Sequence, residues 1–372
     1  MIGIDARFYG SASKGLGRYT EQLLNQLAKQ DHENDYCIFL RKENWSTFVP
    51  PSPKWKKILA DFPWYSWQEQ LLFPSVLRKE RCDVYHFPHF NVPLLAPKPF
   101  VVTVHDLILS RFPTVKATTL GPVRYAFKYL MYHLVMRYAL RASAAVIAVS
   151  EYTKQDILKE YSIEPAKIFV TYEGVTHPEV ARPKKNILQN YGIVEPYLLY
   201  VGNAYPHKNL EGLLRAFPDV RKIRKELSLV LVGKDDYFFQ RLKQFVREQS
   251  IEKVVFPGFV PDDDLQCVYA HADAYVFPSL YEGFGLPPLE AMANGTPVVS
   301  SKASCLPEVL GSAVVYFDPR DQRDMIEALV RIGRDVSLRK ELQKRGYERV
   351  QRYNWASMAE KTKSIYTKIH GS

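Results

Sequence analysis

The sequence lacks the features that mark membrane-spanning, secreted and zinc-binding proteins. None of its apolar runs approaches the length of a membrane-spanning helix, about 20 residues. The first ten residues include Asp5 and no apolar core, so we expect no secretory signal. Only four cysteines occur, each alone and without a CxxC pair, which argues against zinc sites and a disulfide framework. These absences predict a cytoplasmic protein with reduced thiols.

The composition is that of a globular protein, with no internal repeat and no low-complexity tract. Of the 372 residues, 47% are hydrophobic and 24% are charged, and the mean hydropathy is −0.23. This length predicts two domains. The net charge of +10 suits nucleic acid, an anionic membrane or a phosphate-bearing small molecule, and charge alone does not choose among them.

Short apolar runs alternate with longer amphipathic segments along the chain. Continuously apolar runs are typical of parallel strands buried on both faces, and the alternation predicts an α/β fold. The predicted strands form two sets, which indicates two doubly wound domains: 2–6, 36–40, 83–87, 100–105, 144–150 and 168–172, then 197–202, 227–233, 253–256, 274–278, 297–300 and 313–317. Residues 177–186 lack periodicity and contain two prolines, which indicates a linker. We therefore expect domains over residues 1–178 and 188–354, followed by a helix in 355–372.

The most informative stretch is residues 279–300, where an apolar strand leads through a glycine-bearing turn into a short helix. Pro287 and Pro288 suit the first helical turn, where a missing N–H is no loss. The free N–H groups of this helix favour an anion such as phosphate above the carboxyl end of the strand. Glu282 in the turn suits a sugar hydroxyl, and Glu290 on the helix suits a ribose diol. Taken alone, two glutamates are better explained by helix capping and solvent exposure.

The residues around these glutamates resemble the signature of family 4 of the retaining GT-B glycosyltransferases. That signature is a Glu-x7-Glu element within E-G-F-G-L-P-x-x-E-A-M-A-x-G-x-P-V-V, and residues 282–299 match it almost throughout. Companion motifs follow in the expected order, so the resemblance covers essentially the whole chain. It implies two Rossmann-like domains facing a central cleft, with the helix in 355–372 returning to an N-terminal, acceptor-binding domain.

Two companion motifs lie in the N-terminal half. In residues 14–20, Gly15 and Gly17 are expected in a loop before a helix, where the backbone can approach the donor diphosphate. The motif lacks the third glycine and the distal acid of a dinucleotide site, so an NAD site is not favoured. In residues 103–107, His105 is expected at a strand end. A lone histidine is more often a core residue, but the resemblance implies that His105 lies beside the transferred sugar.

The third companion motif, residues 201–209, supplies the candidate cation Lys208. The family often has an arginine where Asn203 stands, so the resemblance leaves Lys208 as the main fixed charge on the leaving diphosphate. At residue 173 the family often has asparagine, and this chain has Glu173. The resemblance implies further donor-binding residues at Gly202, Asn203, Val260, Gly283, Phe284, Gly285 and Leu286.

Two other patterns leave alternatives open. Asp262, Asp263 and Asp264 look like a metal-binding DxD motif, but they precede a helical run, so helix capping is favoured and no metal is expected. Residues 98–141 hold seven Lys or Arg against one acid, interleaved with aromatic and methionine side chains. Such a stretch is typical either of a basic helix on an anionic membrane or of a core helix with a solvated face.

Together with the resemblance, these patterns predict a retaining, metal-independent hexosyltransferase that needs no cofactor. His105, Glu282 and Lys208 are the expected catalytic residues. The expected reaction moves mannose from GDP-mannose to a glycan or lipid-linked acceptor in cell-surface polysaccharide synthesis, at the inner face of the membrane or in the cytoplasm. The alternative donor is UDP-glucose or a UDP-N-acetylhexosamine. A non-catalytic nucleotide-sugar-binding protein and a nucleic-acid-binding protein are more remote, since no nucleic-acid motif is present.

Overall fold

Two parallel β-sheets organise the chain, one in each of two structural units. A computed structural model describes residues 1–10, 14–112, 122–176 and 186–370. Met1–Gly174 and Asn354–Ser372 form the first unit, and Val175–Tyr353 form the second. Most of the predicted linker, residues 177–185, lies outside the described part of the chain.

The first unit is a seven-stranded sheet covered by helices. Its strands are β1 (Ile2–Asp5), β2 (Tyr36–Leu40), β3 (Trp55–Leu59), β4 (Val84–Phe87), β5 (Phe100–Val104), β6 (Ala145–Ala148) and β7 (Ile168–Val170). The sheet order is β3-β2-β1-β4-β5-β6-β7, and all neighbours are parallel. Its helices, numbered along the chain, are α1 (Lys14–Gln30), α2 (Lys42–Trp45), α3 (Trp67–Leu71), α4 (Phe73–Glu80), α5 (Ile108–Arg111), α6 (Pro122–Ala142), α7 (Glu151–Glu160) and the C-terminal α16 (Trp355–His370).

The second unit repeats this architecture with six strands. They are β8 (Tyr197–Val201), β9 (Ser228–Val232), β10 (Val254–Gly258), β11 (Ala274–Phe277), β12 (Val298–Ser301) and β13 (Val314–Phe317). The order is β10-β9-β8-β11-β12-β13, again entirely parallel. Its helices are α8 (Ile187–Asn190), α9 (Leu210–Ile223), α10 (Tyr237–Glu248), α11 (Asp262–Ala270), α12 (Leu286–Ala293), α13 (Leu306–Leu310), α14 (Gln322–Arg334) and α15 (Val336–Val350).

Each sheet has one topological switch point, where the strand order reverses. It lies between β1 and β4 in the first unit and between β8 and β11 in the second. Open α/β sheets bind ligands beyond the carboxyl ends of the strands at such a point. The two switch points are therefore the first places to look for a functional site.

The seventh strand of the first sheet, β3, is absent from the sequence prediction. It pairs with β2 at the sheet edge. Trp55 and Ile58 are buried, whereas Lys56 and Leu59 are exposed, so β3 lacks the continuous apolar pattern of the buried strands. Lysine on an edge strand hinders pairing with another chain. The prediction of about six strands missed β3 because it relied on a pattern that an edge strand does not carry.

Helix α6 accounts for much of the basic segment and contributes to the core of the first unit. Its buried side chains are Tyr132, Val135, Met136, Ala139 and Leu140. Other apolar side chains on α6 stay exposed: Phe127, Leu130 and Leu134. No helix within the described ranges is both long and apolar enough to span a bilayer. Residues 113–121 of the basic segment lie outside those ranges.

Helix α16 follows the second unit in sequence but packs on the first. It lies against α1. Trp355 sits directly over Gly174, because a Cβ at Gly174 would come within 2.3 Å of the Trp355 backbone nitrogen. On the inner face of α16, Met358, Ile365 and Tyr366 are buried. The chain end is thus an integral part of the first unit.

Candidate active site

Lys208 and Glu282 form an ion pair at the switch point of the second unit. Lys208 ends a short 3-10 helix, Pro206–Lys208, that follows β8, and Glu282 lies in the turn between β11 and α12. The Lys208 Nζ atom is 2.6 Å from Glu282 Oε1, and the two side chains are only 13% and 9% exposed. The sequence predicts both residues but not their contact. Together they offer a ligand one fixed cation and one hydrogen-bond acceptor.

Hydrogen bonds fix the positions of the loops that carry Lys208 and Glu282. The Glu282 N–H donates to the Ser304 hydroxyl at 2.8 Å, and the Leu280 N–H donates to the His207 carbonyl at 2.7 Å. Gly285, immediately before α12, has the left-handed φ of 96°. A Cβ there would lie 2.9 Å from Leu306 Cδ2. Glycine therefore allows the turn to enter α12 with its amino end at this edge of the sheet.

Two neighbours of the pair are uncharged at neutral pH. Burial and the Lys208 charge lower the pKa of His207 to about 4. Burial and the Glu282 charge raise the pKa of Tyr200 well above its usual value. The Tyr200 hydroxyl donates to the Asn203 carbonyl at 2.7 Å. His207 and Tyr200 therefore add no competing charge beside Lys208 and Glu282.

Gly202 and Asn203 shape the loop after β8. The Gly202 N–H donates to the Val232 carbonyl at 3.0 Å, and a Cβ on Gly202 would lie 2.8 Å from the Tyr200 hydroxyl. The Asn203 side-chain oxygen accepts the Tyr205 N–H at 3.4 Å, a long contact within the turn. The structure therefore shows Asn203 in a local backbone role. A diphosphate contact at Asn203 stays a prediction.

The remaining donor-binding candidates lie around α12 and β10. Glu290 is half-buried on α12, where its charge adds to the effect of burial in raising the pKa of Tyr275. The predicted turn residues Gly283 and Phe284 are buried, and Leu286 begins α12 half-buried. Beyond β10, the Val260 side chain is buried, while the neighbouring Phe259 ring is 71% exposed.

The acidic triplet belongs to the first turn of α11. The residue at the amino cap is Pro261, without a side-chain cap bond, so the expectation of capping by aspartate is wrong in detail. Asp264 accepts a hydrogen bond from the Tyr191 hydroxyl at 2.9 Å. Three acids in a first turn interact favourably with the helix dipole. Among the described residues, no group of three or more His, Cys, Asp or Glu side chains is arranged to hold a metal ion.

In the first unit, His105 follows β5 and is held at both ring nitrogens. Its Nδ1 is 2.9 Å from Glu173 Oε1, and its Nε2 is 2.9 Å from the Pro88 carbonyl oxygen. A carbonyl and a carboxylate accept hydrogen bonds, so both ring nitrogens must donate, which requires the imidazolium form. Burial lowers the pKa of His105, but the hydrogen bond and charge of Glu173 outweigh it, and the net pKa is raised. Glu173 therefore favours the protonated form of His105 and holds its ring in place.

A ring contact and a series of hydrogen bonds connect His105 to the C-terminal helix α16. The Tyr19 ring meets the His105 ring edge-on with centroids 4.7 Å apart. The Tyr19 hydroxyl is 3.3 Å from Thr103 Oγ1, which is 2.8 Å from His86 Nε2. The other His86 nitrogen, Nδ1, is 2.5 Å from the Tyr366 hydroxyl of α16. Burial and the His105 charge lower the pKa of His86 to about 3, so this link is neutral.

Gly15 and Gly17 lie in the first turn of α1, not in a loop before it. The helix begins at Lys14, so the expected glycine loop is wrong in its position. Gly15 is exposed, and a Cβ added to it would meet no atom within 4 Å, whereas Gly17 is buried. The segment before α1, residues 11–13, lies outside the described ranges.

Glu173, the partner of His105, had no predicted role. It lies 68 positions beyond His105 in sequence, so no local pattern links the two residues. The one signal in the sequence was the departure from asparagine at position 173, which adds a negative charge. That departure alone does not indicate which side chain the carboxylate contacts.

Comparison with known proteins gives two successive family matches. Residues 13–177 match Glycosyltransferase Family 4, and residues 184–349 match Glycosyl transferases group 1. The chain is 29% identical to the O-antigen chain mannosyltransferase B of Escherichia coli over 95% of each chain. It is 28% identical to the O-antigen chain mannosyltransferase RfbU of Salmonella typhimurium, covering 74% of this chain and 71% of that protein.

A solved structure shows the same architecture. Sucrose-phosphate synthase from Thermosynechococcus elongatus superimposes with a TM-score of 0.77 and 22% identity, over 100% of this chain and 99% of that one. At this identity the likeness establishes the fold alone. The two family matches, the alignment to one relative over 95% of each chain and the two parallel sheets lead to one conclusion: the chain is a glycosyltransferase of the GT-B fold, with a family 4 domain followed by a group 1 domain.

Proposed function

We propose that the protein transfers a hexose, with retention of configuration, from a nucleotide-diphosphate sugar to a hydroxyl of a glycan or lipid-linked acceptor. The Lys208–Glu282 pair carries this proposal, because it sets a cation beside a hydrogen-bond acceptor at the switch point of the second sheet. A diphosphate needs the cation, and a sugar hydroxyl needs the acceptor. The amino end of α12 adds backbone N–H donors for the phosphates.

The proposed sugar is mannose, supplied as GDP-mannose, and the proposed product is a cell-surface polysaccharide. Support comes from the two O-antigen chain mannosyltransferases, which align along most of this chain. Lys208 and Glu282 suit the diphosphate and hydroxyls of other nucleotide sugars as well. UDP-glucose and UDP-N-acetylhexosamines are therefore the competing donors that an experiment must separate from GDP-mannose.

The proposed mechanism uses neither a metal nor a cofactor. Negative charge grows on the leaving diphosphate as its bond to the sugar breaks, and Lys208 with the amino end of α12 stabilises that charge. The leaving diphosphate takes the proton of the attacking hydroxyl, and the new bond forms on the same face of the sugar. In this proposal Glu282 holds sugar hydroxyls, Glu290 holds the ribose, and His105 lies beside the transferred sugar.

We also propose that α6 binds the anionic inner face of the cytoplasmic membrane. Exposed apolar side chains on α6, such as Phe127, Leu130 and Leu134, lie on the same helix as exposed Lys128 and Arg137. Apolar side chains that enter the headgroup region and basic side chains that attract anionic lipids act together in such binding. A lipid-linked acceptor would be presented at this surface.

A thermal-shift panel tests the proposed donor. The protein is heated with GDP-mannose, UDP-glucose, UDP-galactose or UDP-N-acetylglucosamine at equal concentrations. A ligand at one hundred times its Kd stabilises the folded protein by about 2.7 kcal/mol, which raises the melting temperature measurably. We expect the largest rise with GDP-mannose. The largest rise with a UDP-sugar would contradict mannose, and no rise with any of the four would contradict a nucleotide-sugar site.

A further inference from the structure

The switch point of the first unit carries a buried charged network that the reaction described above does not use. Arg7, just after β1, pairs through Nη2 with Asp5 Oδ2 and with Glu69 Oε1, each at 2.7 Å. The Asn91 side-chain amide, after β4, donates to both Glu69 carboxylate oxygens at 2.8 Å. The side chains of Arg7 and Glu69 are both 0% exposed. Burial makes each of these charged contacts necessary, and together they hold the Glu69 carboxylate in place.

The Glu69 carboxylate also stabilises the turn at Tyr65, whose backbone conformation is rare. Its Oε2 accepts the Tyr65 backbone N–H at 2.7 Å. Tyr65 has a φ of 60°, the left-handed region that a residue with a Cβ rarely adopts. The Ser66 hydroxyl accepts the Glu69 N–H at 3.1 Å and donates to the Pro63 carbonyl at 2.6 Å. Strain that surrounding structure holds in place is typical of functional sites.

The held turn presents aromatic rings to solvent. The Trp64 ring packs against two side chains: it stacks on Phe8 with centroids 4.4 Å apart, and the Arg41 guanidinium carbon lies 4.6 Å from its centroid. By contrast, Tyr65 is 61% exposed and Trp67, which begins α3, is 67% exposed. Tyr65 and Trp67 are thus two large exposed rings on one turn beside a switch point, and we call this pair of residues the aromatic platform.

The aromatic platform connects to His105 through neighbouring residues. The Tyr65 ring meets the His89 ring edge-on with centroids 6.4 Å apart. His89 follows Pro88, whose carbonyl oxygen accepts the His105 Nε2 hydrogen bond at 2.9 Å. The platform and the candidate catalytic histidine therefore share one edge of the first sheet. Tyr65 is therefore linked to His105 through His89 and the adjacent Pro88.

The chemistry of the aromatic platform fits a neutral sugar. A pyranose ring has an apolar face of C–H groups and a rim of hydroxyls, and exposed aromatic rings beside polar groups suit both. Residues 61–72 contain no lysine or arginine, and the nearby Arg41 and Lys42 lie 3.6 and 3.7 Å from the Asp61 carboxylate, which offsets their attraction for an anionic membrane. We propose that Tyr65 and Trp67 form the acceptor subsite, where the terminal pyranose of the acceptor glycan stacks. This inference rests on the proposed transferase function and names a substrate-binding site for it.

The test compares ring removal with ring retention in the full chain. Tyr65→Asn removes the ring and keeps a residue that tolerates the left-handed backbone. Trp67→Ala removes the second ring, and Tyr65→Phe keeps the first. Trp45→Ala is the matched control, because Trp45 is also an exposed tryptophan of the first unit, at 37%. The probe is methyl α-D-mannopyranoside, followed by saturation-transfer NMR and as acceptor in steady-state kinetics.

We expect the two ring-removal variants to lose saturation transfer to the glycoside. Their acceptor KM should rise about tenfold or more, which corresponds to about 1.4 kcal/mol. Release of nucleoside diphosphate from the donor without acceptor should keep its wild-type rate. Tyr65→Phe and Trp45→Ala should match the wild type in all three measurements.

Unchanged saturation transfer and acceptor KM in both ring-removal variants would overturn the acceptor subsite. An equal loss of donor hydrolysis would also overturn it, because the turn would then support the fold rather than the acceptor. If the wild type released nucleoside diphosphate from no donor even with the acceptor present, the proposed function would fail instead. Saturation transfer to the glycoside would still decide the subsite in that case.

Discussion

The side chains of Lys208 and Glu282 have little access to water, and this determines their contribution to stability and to catalysis. Removing two charges from water is costly, and only their mutual attraction and hydrogen bonding offset that cost. Lys208 Nζ and Glu282 Oε1 lie 2.6 Å apart, so the fold itself positions the cation. Positioning of charge before the reaction is the usual source of electrostatic catalysis.

A double-mutant cycle on this pair should separate its structural from its functional contribution. Lys208→Met leaves a buried carboxylate without its partner and should destabilise the second unit by about 3 kcal/mol. Adding Glu282→Gln should recover part of that stability, because the unpaired charge is removed, but should not recover transfer activity. Urea unfolding and donor kinetics measure the two effects. Additive losses of stability in the double variant would show that the two side chains do not interact.

Glu290 and Glu282 lie on the same turn–helix segment, but we expect their substitutions to affect different steps. Glu290→Ala should weaken binding of the free nucleoside diphosphate, because the proposed ribose contact is lost. Glu282→Ala should lower turnover more than nucleotide affinity, because the proposed contact is to the transferred sugar. Isothermal titration with the nucleoside diphosphate and steady-state kinetics distinguish the two losses. Wild-type kcat/KM in both variants would remove these residues from the donor site.

Glu173 should control the charge of His105. In the wild type the raised pKa of His105 means that the His105–Glu173 contact stabilises the fold fully below about pH 6.5, the unfolded value. That stabilisation is lost as pH rises through the higher folded pKa. Glu173→Gln removes the carboxylate, so burial should lower the pKa of His105 and leave the ring neutral at pH 7. Nitrogen-15 NMR of the imidazole reports this directly. A wild-type His105 with one unprotonated ring nitrogen at pH 7 would contradict the imidazolium assignment.

At the scale of elements, the turn into α12 depends on one glycine. Gly285→Ala forces a Cβ into a left-handed conformation, at a cost of about 1–2 kcal/mol, and brings it within 2.9 Å of Leu306 Cδ2. The turn should shift, and with it the amino end of α12, so donor KM should rise more than stability falls. Donor kinetics and thermal unfolding together test this expectation. A destabilised variant with wild-type donor KM would show that α12 does not contact the donor.

Helix α6 allows a direct test of membrane binding. Lys128→Glu combined with Arg137→Glu should abolish co-sedimentation with phosphatidylglycerol vesicles, because each basic residue near an anionic surface contributes about 1 kcal/mol. The control is Lys340→Glu with Lys344→Glu, an equal charge change at exposed positions of α15. Binding of the wild type should weaken with salt and be absent on phosphatidylcholine. Equal sedimentation with both lipids, or with neither, would leave α6 as an ordinary core helix with a solvated face.

Elements also show where sequence patterns carry structural information and where they do not. Strands such as β5 and β9 are buried on both faces and therefore have continuous apolar runs that identify them. The edge strand β3 was not predicted, because Lys56 and Lys57 interrupt its apolar pattern. The glycines of residues 14–20 predicted a loop, but α1 already begins at Lys14. Helix ends are set by local hydrogen bonds that composition does not fix.

At the scale of the whole molecule, the architecture could be predicted from the sequence, but the contacts that make up the candidate site could not. Two sets of apolar runs were enough to indicate two parallel sheets. The Lys208–Glu282 contact joins residues 74 positions apart, and it exists because the strand order reverses between β8 and β11. Likewise, the ring contact between Tyr65 and His89 joins residues 24 positions apart, on loops that follow different strands. Such contacts depend on topology, which periodicity does not encode.

The most direct test of the account is the anomeric configuration of the product formed without metal. The protein is incubated with GDP-α-mannose and methyl α-D-mannopyranoside in EDTA, and the one-bond carbon–proton coupling of the new linkage is read by NMR. We predict an α-linked disaccharide, because the same face of the sugar loses the diphosphate and gains the acceptor. A β-linked product, or transfer that appears only after Mn²⁺ is added, would contradict retaining, metal-independent transfer.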